Sequence, residues 1–313
     1  MSKLKTLSDA VHEFVSDGAE LGFAGSGGRL SIAFAYEVIR QGRKNLSFAS
    51  AGTGAPCLDL LVGARAVKRA EISFTMVSCL NIKRAVERGS NGSPSANKGR
   101  YKFQVEDYSN LAMSLRFFAG ATKIPFIPIR SLRGSDIERI RTFMGKGKMA
   151  TMASPFSDGT RVAVLPPSEP DVGIMHSQYA DEEGNVLALG PAGSDGWLLR
   201  AAKRRVVTVE RIVTKEFVKA HKVHTFMPGF MVDAVCEVPY GAHPYGLVDC
   251  YDLDAHFQKE YSEKSRTQEG FDAWASEWIF KINERSEYLK KVGEDRLGKI
   301  TNQKFSSGNI FDN

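Results

Sequence analysis

The strongest constraint on the fold is an alternation of extended and helical segments near the start of the chain. Short apolar runs at residues 20–24, 45–50 and 71–76 predict strands, and residues 31–40 and 58–64 between them predict helices. Strands that alternate with helices in this way are typical of a parallel sheet covered by helices. We therefore expect an α/β protein with an open, mostly parallel sheet and flanking helices.

The same kinds of pattern continue along the rest of the chain. Further strands are predicted at residues 161–165, 172–176, 205–210 and 234–238, helices at 6–17 and 109–122, a hairpin turn at 181–185 and a loop at 90–100. Capping-box patterns begin the helices at Thr6 with Asp9 and at Ser265 with Gln268. No linker or repeat divides the sequence. We predict one domain over residues 1–313, in which residues 257–313 form a helical C-terminal extension.

Composition limits the classes of function. The 313 residues include 42 Lys and Arg against 36 Asp and Glu, a formal net charge of +6. A basic balance favours acidic ligands, but the basic runs are short and dispersed, which argues against nucleic acid. No apolar run approaches the roughly 18 residues of a membrane span, and the amphipathic start lacks a signal-peptide core. The four cysteines form no CxxC pair. We expect a cytoplasmic protein without a disulfide framework.

A glycine-rich turn between the first predicted strand and the next helix is the sharpest local motif. It consists of Gly25, Ser26, Gly27, Gly28 and Arg29. Glycines let backbone N–H groups approach a ligand closely, and the following helix offers its positive end, so the turn suits an anion or a developing oxyanion. The alternative is a tight turn that binds nothing. Leu30 at the third glycine position excludes a dinucleotide fingerprint.

Two polar residues follow predicted extended segments and are candidates for binding a carboxylate. Arg130 follows the extended segment 125–129, whose prolines forbid a helix. Strands of open α/β sheets deliver ligand-binding groups at such ends, and a guanidinium can clamp a carboxylate with two hydrogen bonds. An ordinary surface ion pair is the alternative for Arg130. Ser78, just after the strand predicted at 71–76, either binds a carboxylate or caps a turn.

The histidines and acids form no obvious catalytic or metal site. His221 and His224 have the spacing of two metal ligands on a helix, but no nearby carboxylate or cysteine completes a set, so no metal is predicted. His176 is predicted to be a hydrogen-bonded structural residue, and His243 to lie in a structural turn. The chain thus lacks a self-sufficient nucleophile–base set. That absence fits an enzyme whose nucleophile comes from another polypeptide.

Several segments resemble the α subunits of glutaconate-type (family I) CoA-transferases. They are DGAELGFAGSGGRLSIAFAYEVIRQG at 17–42, VEDYSNLAMSLRFFAGATKIPFIPIRSLRGSD at 105–136, VDAVCEVPYGAHPYGLVDCYDLD at 232–254, and TQEGFDAWASEWIF with EYLKKVGEDRL within 267–297. The likeness follows the same order over nearly the whole chain. The YGAHP and TQEGFD strings are its most specific parts.

This resemblance implies an active site at the interface with a β subunit. The partner would supply a glutamate that carries CoA as a glutamyl-CoA thioester between an acyl-CoA and a carboxylic acid. This chain would supply the turn at residues 25–29 near the thioester oxygen, with Ser78 and Arg130 holding the acid. Coenzyme A is then a substrate, and no permanently bound cofactor is expected.

Two other functions remain open from the sequence. Relatives of the same fold hydrolyse or decarboxylate CoA esters, and in a hydrolase the catalytic acid would be Glu106 or the neighbouring Asp107. These acids also precede a predicted helix, and acidic residues are common there because the helix dipole stabilises negative charge at its N-terminus. A ligand-binding relative that acts without a partner is the third possibility.

Overall fold

Strands and helices alternate along the chain in the computed structural model, which describes residues 2–52, 54–90, 101–156, 159–307 and 310–311. The strands are β1 Glu20–Phe23, β2 Leu46–Ser50, β3 Val67–Ile72, β4 Gln104–Asp107, β5 Ile127–Ile129, β6 Ala150–Ala153, β7 Arg161–Leu165, β8 Val172–Ala180, β9 Val186–Leu187, β10 Arg204–Ile212, β11 Thr225–Met227 and β12 Ala234–Glu237. The helices are α1 Leu7–Phe14, α2 Ile32–Arg40, α3 Ala55–Gly63, α4 Leu80–Ser90, α5 Asn110–Thr122, α6 Asp136–Arg139, α7 Asp195–Ala201, α8 Lys215–Ala220, α9 Ala255–Lys264, α10 Gln268–Ala275, α11 Arg285–Val292, α12 Glu294–Ile300 and α13 Gln303–Ser307.

The main sheet is parallel through its centre, which confirms the predicted fold class. β1 pairs with β2 on one side and β8 on the other, so that Leu21 lies opposite both Phe48 and Val172. β3 and β4 continue the sheet beyond β2, and β10 and β12 continue it beyond β8. The remaining strands are therefore added to the sheet on both sides of the β1–β8 pair. In open α/β sheets such a topological switch point opens a crevice at the carboxyl ends of the strands, where ligands bind.

The structure corrects two strand predictions in this sheet. The strand expected at 71–76 is β3, which begins at Val67 and ends at Ile72, because the buried apolar side chains are earlier in the sequence and Phe74 is exposed. β4 was not predicted as a strand, and only Glu106 among its residues is buried. A polar edge strand of this kind carries little apolar periodicity.

A second, antiparallel sheet has the order β5-β7-β6. It contains part of the extended segment predicted at 125–129, which forms β5 and so lies outside the parallel sheet. Pro128 lies opposite Val164 of β7. Among the described residues β5 pairs with β7 alone, so the missing N–H of its proline does not interrupt a ladder on the other side.

Two terminal strands of the main sheet, β12 and β4, are bonded to other parts of the chain. On β12, Lys5 donates its backbone N–H to the carbonyl of Val235 at 3.0 Å, and Val235 donates to the carbonyl of Lys3 at 2.9 Å. On β4, the hydroxyl of Thr142 donates to the carbonyl of Val105 at 2.8 Å. Covered edges do not present a template for pairing with another chain.

The C-terminal helices pack into the same core as the helices that flank the sheet. Tyr36 of α2 contacts Trp274 of α10, with ring centroids 5.9 Å apart, and Phe257 of α9 lies 6.2 Å from the same indole. These rings are buried together with Phe23 and Phe48 of the sheet. The predicted helical C-terminal region is confirmed, and its aromatic residues complete one face of the sheet's core.

Of the two predicted capping boxes, the structure confirms the one at Thr6 and places the other cap at a different residue. Thr6 accepts the N–H of Asp9 at 3.1 Å, as predicted. At the second box the cap is Thr267, whose hydroxyl accepts the N–H of Gly270 at 3.0 Å. Ser265 instead ends α9, because its N–H donates back to the carbonyl of Tyr261.

Two further predictions concern connections between elements. The predicted hairpin turn at 181–185 joins β8 to β9 and is confirmed by the Asp181 N–H donating to the Asn185 carbonyl at 3.1 Å. The loop predicted at 90–100 falls, apart from residue 90, outside the described residues. Within the described ranges, no helix is both long and apolar enough to cross a membrane.

Candidate functional site

The glycine-rich turn lies at the carboxyl end of β1, at the topological switch point. Residues Ser26–Gly28 form one turn of 3-10 helix, and Gly27 and Gly28 have φ values of +61° and +80°. A Cβ atom on Gly28 would lie 2.2 Å from the carbonyl oxygen of Gly246. Glycine is therefore required at Gly28 both by the backbone conformation and by the close approach of a second segment.

The carboxylate of Asp195, in the first turn of α7, holds this turn from one side. It accepts the N–H groups of Gly25 and Ser26 at 3.3 and 3.0 Å and the Ser26 hydroxyl at 3.1 Å. Asp195 is buried, and burial raises its pKa to about 6 against the opposing effect of these hydrogen bonds and of Arg29. Two of the backbone donors that the sequence offers to a ligand are thus occupied by a side chain of the same protein.

Arg29 is fully buried and binds the chain itself. Its guanidinium donates to the carbonyl of Ser26 at 2.9 Å, and to the carbonyls of Leu189 and Gly190 at 2.7 and 3.1 Å. It also lies 3.7 Å from the carboxylate of Asp195, and burial lowers its pKa. Direct contact of this guanidinium with a substrate has no support in the geometry. Its observed role is to tie the turn to the segment before α7.

A buried network holds the turn from the other side. His176 of β8 donates its backbone N–H to the carbonyl of Arg29 at 3.1 Å. Its ring nitrogens lie 2.8 Å from the Thr208 hydroxyl and 2.5 Å from the Glu210 carboxylate. Glu210 also accepts the hydroxyl of Tyr251 at 2.7 Å. This confirms His176 as a hydrogen-bonded structural residue.

The order hydroxyl, imidazole, carboxylate in this network is the order of a nucleophile–base relay. Thr208, His176 and Glu210 are, however, exposed by only 0%, 0% and 1%. The Glu210 carboxylate has further hydrogen bonds within the fold, because it also accepts the backbone N–H groups of Tyr240 and Gly241 at 2.7 and 3.2 Å. No substrate reaches this hydroxyl, and the network instead fixes the segment that carries Gly246 against the sheet.

A cleft of about 250 Å³ opens beside the turn. Gly27 and Gly28 form one wall, and residues 246–253 form the other. Asp249 and Asp252 are exposed on that second wall, so it is unsuited to phosphate groups. A larger groove of about 1180 Å³ lies between α1, α2 and residues 282–288, and none of the predicted site residues lines it.

Ser78 lies at the same edge of the sheet as the turn, on the loop between β3 and α4. It is half-buried, and its carbonyl accepts the N–H of Leu80 at 3.0 Å. The loop also exposes two apolar side chains, Phe74 at 48% and Val77 at 98%. Its place at the carboxyl edge keeps Ser78 among the candidates for binding a substrate.

Arg130 lies elsewhere in the fold, at the end of β5 in the antiparallel sheet. Its side chain is exposed, and within the described ranges it has no ion pair or hydrogen bond. The alternative of a surface ion pair is therefore not seen. The structure shows no contact between Arg130 and the described residues of the glycine-rich turn.

The two acids considered for a hydrolase differ in their surroundings. Glu106 is fully buried, lies 2.9 Å from the ammonium of Lys148, and accepts the N–H groups of Thr142 and Met144 at 2.9 and 3.2 Å. Burial would raise its pKa, but these partners outweigh burial and lower it. Asp107 is exposed at the carboxyl end of β4. Asp107 is thus the accessible carboxylate of the pair, and Glu106 secures the segment that covers the sheet edge.

The remaining histidines have structural surroundings. His243 is buried between the Tyr288 hydroxyl at 2.7 Å and Asp254 at 3.2 Å, and burial lowers its pKa to about 4, as suits the predicted structural turn. The rings of His221 and His224 pack on Phe311. The described part of the chain contains no group of three His, Cys, Asp or Glu side chains that could hold a metal ion.

Sequence reasoning missed Asp195, although the local pattern Ser194-Asp195-Gly196 before an apolar run marked a helix start. Such an acid is explained by the helix dipole alone. Its three hydrogen bonds reach residues about 170 positions away in the chain. No local signal reports a contact over that distance.

The fold and site together define an α/β protein whose candidate ligand-binding edge is built around a glycine-rich turn. Residues 4–238 match the family model of Coenzyme A transferase. The chain belongs to this family and is a subunit of the kind designated A.

The sequences of relatives are similar to this chain over almost its full length. The chain is 32% identical over 309 residues to the A-type subunit of glutaconate CoA-transferase from Acidaminococcus fermentans, covering 95% of this chain and 94% of that protein. The crystal structure of glutaconate coenzyme A-transferase from the same organism matches with a TM-score of 0.86 and 31% identity, covering 96% of each chain. The A-type subunit of 3-oxoadipate CoA-transferase from Pseudomonas knackmussii is 32% identical over 300 residues, covering 95% and 100%. The family resemblance is confirmed.

A relative with a different activity is more distant. The IpdA subunit of the cholesterol ring-cleaving hydrolase from Rhodococcus jostii is 29% identical over 287 residues, which covers 88% of this chain and 90% of that protein.

Proposed function

We propose that this chain is the substrate-holding subunit of a heteromeric CoA-transferase, which moves CoA from an acyl-CoA to a carboxylic acid. The observation that carries the proposal is the position of the glycine-rich turn at the switch point of a Coenzyme A transferase fold. The relatives are named as one type of subunit within their enzymes, which supports a partner of a second type.

The nucleophile in this proposal is a glutamate of the partner β subunit. Its carboxylate attacks the acyl-CoA carbonyl, the carbon–sulfur bond breaks, and an acyl-glutamyl anhydride and CoA thiolate form. The thiolate then attacks the glutamyl carbonyl and releases the first acid, leaving a glutamyl-CoA thioester. The acceptor acid repeats the two steps in reverse, takes the CoA and regenerates the glutamate. The burial of the Thr208–His176–Glu210 network and of all four cysteines supports a nucleophile from outside this chain.

The exposed apolar residues at the carboxyl edge suit the docking of that partner. Phe74 and Val77 follow β3, and Leu111, 54% exposed, begins α5 after β4. A hydrogen bond between Ser73 and Asn110 joins the two loops. Apolar side chains grouped at one edge are typical of protein interfaces. The partner's glutamate would then enter the site from the side that carries the turn and Ser78.

The turn would face the thioester oxygen, and Ser78 and Arg130 would bind the acid. The exposed guanidinium of Arg130, which no described residue pairs with, and the net charge of +6 favour a dicarboxylic or otherwise acidic substrate over a plain fatty acid. Coenzyme A acts as a substrate, without a permanently bound cofactor. A cytoplasmic location stays a prediction from the sequence.

Trapping the intermediate tests this proposal. The chain would be co-expressed with its partner, and the purified complex incubated with acyl-CoA and borohydride, which reduces a glutamyl-CoA thioester. We expect inactivation that depends on acyl-CoA, with the reduced glutamate located in the partner by mass spectrometry. A complex that transfers CoA but is not inactivated, or is modified on this chain, would contradict the assignment.

Hydrolysis of a CoA ester is the second candidate, favoured by the likeness to the ring-cleaving hydrolase and by the exposed carboxylate of Asp107. In that reaction acyl-CoA is consumed without an acceptor acid. An Asp107→Asn variant would then lose the activity, whereas in a transferase it would retain CoA transfer. Glu106 is less suited to this role because Lys148 and the surrounding backbone already bind its carboxylate.

A further inference from the structure

The glycine-rich turn has no rigid secondary structure of its own beyond a single 3-10 turn, so its shape depends on what holds it. Asp195 accepts three hydrogen bonds from Gly25 and Ser26, all between 3.0 and 3.3 Å. These contacts orient the first two peptide groups of the turn toward α7. The position of Gly27 and Gly28, which follow directly, depends on that orientation.

Arg29 fixes the other end of the same turn. Its guanidinium crosses back to the Ser26 carbonyl and reaches the Leu189 and Gly190 carbonyls, and its charge lies 3.7 Å from Asp195. The two side chains are exposed by 0% and 1%. Breaking a buried ion pair leaves an uncompensated charge, so the pair favours one arrangement of the groups around it.

We propose that Asp195 and Arg29 are positioning residues, which hold Gly27 and Gly28 at a fixed place relative to the acyl-CoA carbonyl. The inference rests on the proposed function, in which the turn faces that carbonyl. The pair acts through the backbone of the turn and does not touch the substrate. A displacement of about 1 Å in such a group is enough to lower a rate by roughly 10²-fold.

Asp195→Asn tests the proposal in the complex with the β partner, because asparagine keeps the size of the side chain but not its charge. Asp59→Asn is the matched control. Asp59 is likewise 1% exposed with a pKa raised by burial to about 6, but it binds Tyr261 and the backbone of Ile82. Ser26→Ala is a milder second variant that removes one hydrogen bond of 3.1 Å.

We expect Asp195→Asn to lower kcat by roughly 10²-fold with little change in KM for acyl-CoA. Ser26→Ala should lower kcat by about three- to tenfold. Asp59→Asn should keep the wild-type kcat and KM, whatever its effect on stability. Wild-type kcat in Asp195→Asn, or in Ser26→Ala when Asp195→Asn does not fold, would overturn the proposal.

A measurement without turnover separates this inference from the proposed function. Amide hydrogen exchange at Gly25 and Ser26 should be faster in Asp195→Asn than in wild type, and unchanged in Asp59→Asn. A wild-type complex without CoA-transfer activity would refute the proposed function alone. Unchanged exchange at these two amides in Asp195→Asn would refute the positioning role alone.

Discussion

Replacing Gly28 by alanine separates backbone strain from steric exclusion at the candidate site. Gly28 has a φ of +80° and Gly18 a φ of +84°, so an alanine at either position is strained by about 1–2 kcal/mol. Only at Gly28 does the added Cβ meet another atom, the Gly246 carbonyl oxygen at 2.2 Å; at Gly18 nothing lies within 4 Å. Gly18→Ala is therefore a control for strain alone.

Relieving the contact at Gly28 requires a backbone shift of about 1 Å, to reach an ordinary van der Waals separation. Overpacking of this kind costs about 1–3 kcal/mol in addition to the strain. We expect Gly28→Ala to lower the free energy of unfolding by about 2–5 kcal/mol, against about 1–2 kcal/mol for Gly18→Ala. The same shift should lower kcat by roughly 10²-fold in Gly28→Ala only.

Urea unfolding of the purified complex and initial rates of CoA transfer, corrected for the folded fraction, measure the two effects. The reasoning is refuted if the two variants are equally stable and equally active. A Gly28→Ala variant that is destabilised but keeps the wild-type kcat would show that the close packing is structural and that the turn does not position the substrate.

Three further predictions concern the ion pair beneath the sheet edge, the buried histidine and the exposed arginine. Lys148→Met should lower the free energy of unfolding by about 3–5 kcal/mol, because it leaves the buried Glu106 carboxylate unpaired, whereas exposed Lys146→Met should change it little in the same urea experiment. His243 has a pKa of about 4 in the fold against 6.5 unfolded, so the unfolded chain takes up the proton first and stability is lost as the pH falls from 6.5 to 4. Between pH 8 and 5 this amounts to about 2 kcal/mol, which a His243→Gln variant should not lose; an equal loss in both proteins would contradict the assignment. Arg130→Met should raise KM for the acceptor acid by about tenfold or more without lowering kcat in steady-state assays, and an unchanged KM would remove Arg130 from the site.

The sequence predicts strands well where apolar runs coincide with burial. β2 and β7 were predicted to within a residue, because their inward side chains are apolar and turns bound them on both sides. β3 was displaced because the apolar run at 71–76 includes Phe74, which is exposed. β4 was missed because an edge strand with one buried residue, Glu106, has no apolar alternation to detect.

The candidate site was predictable only in its local part. The sequence predicts the turn because glycine readily adopts positive φ values, and Gly27 and Gly28 both have them. What holds the turn was not predictable, since Asp195 contacts it across about 170 positions of sequence. Arg29 illustrates the same limit. Its position in the turn suggested substrate binding, but the Leu189 and Gly190 carbonyls that bind it come from a distant segment.

Reconstitution tests the central claim most directly, namely that this chain holds the substrate in a site that its partner's nucleophile completes. The rate of CoA transfer from an acyl-CoA to a dicarboxylic acid would be measured for this chain alone, for the partner alone and for the two combined. We predict transfer by the combined subunits only, with a rate that saturates at equal amounts of the two. Transfer by this chain alone would contradict the account.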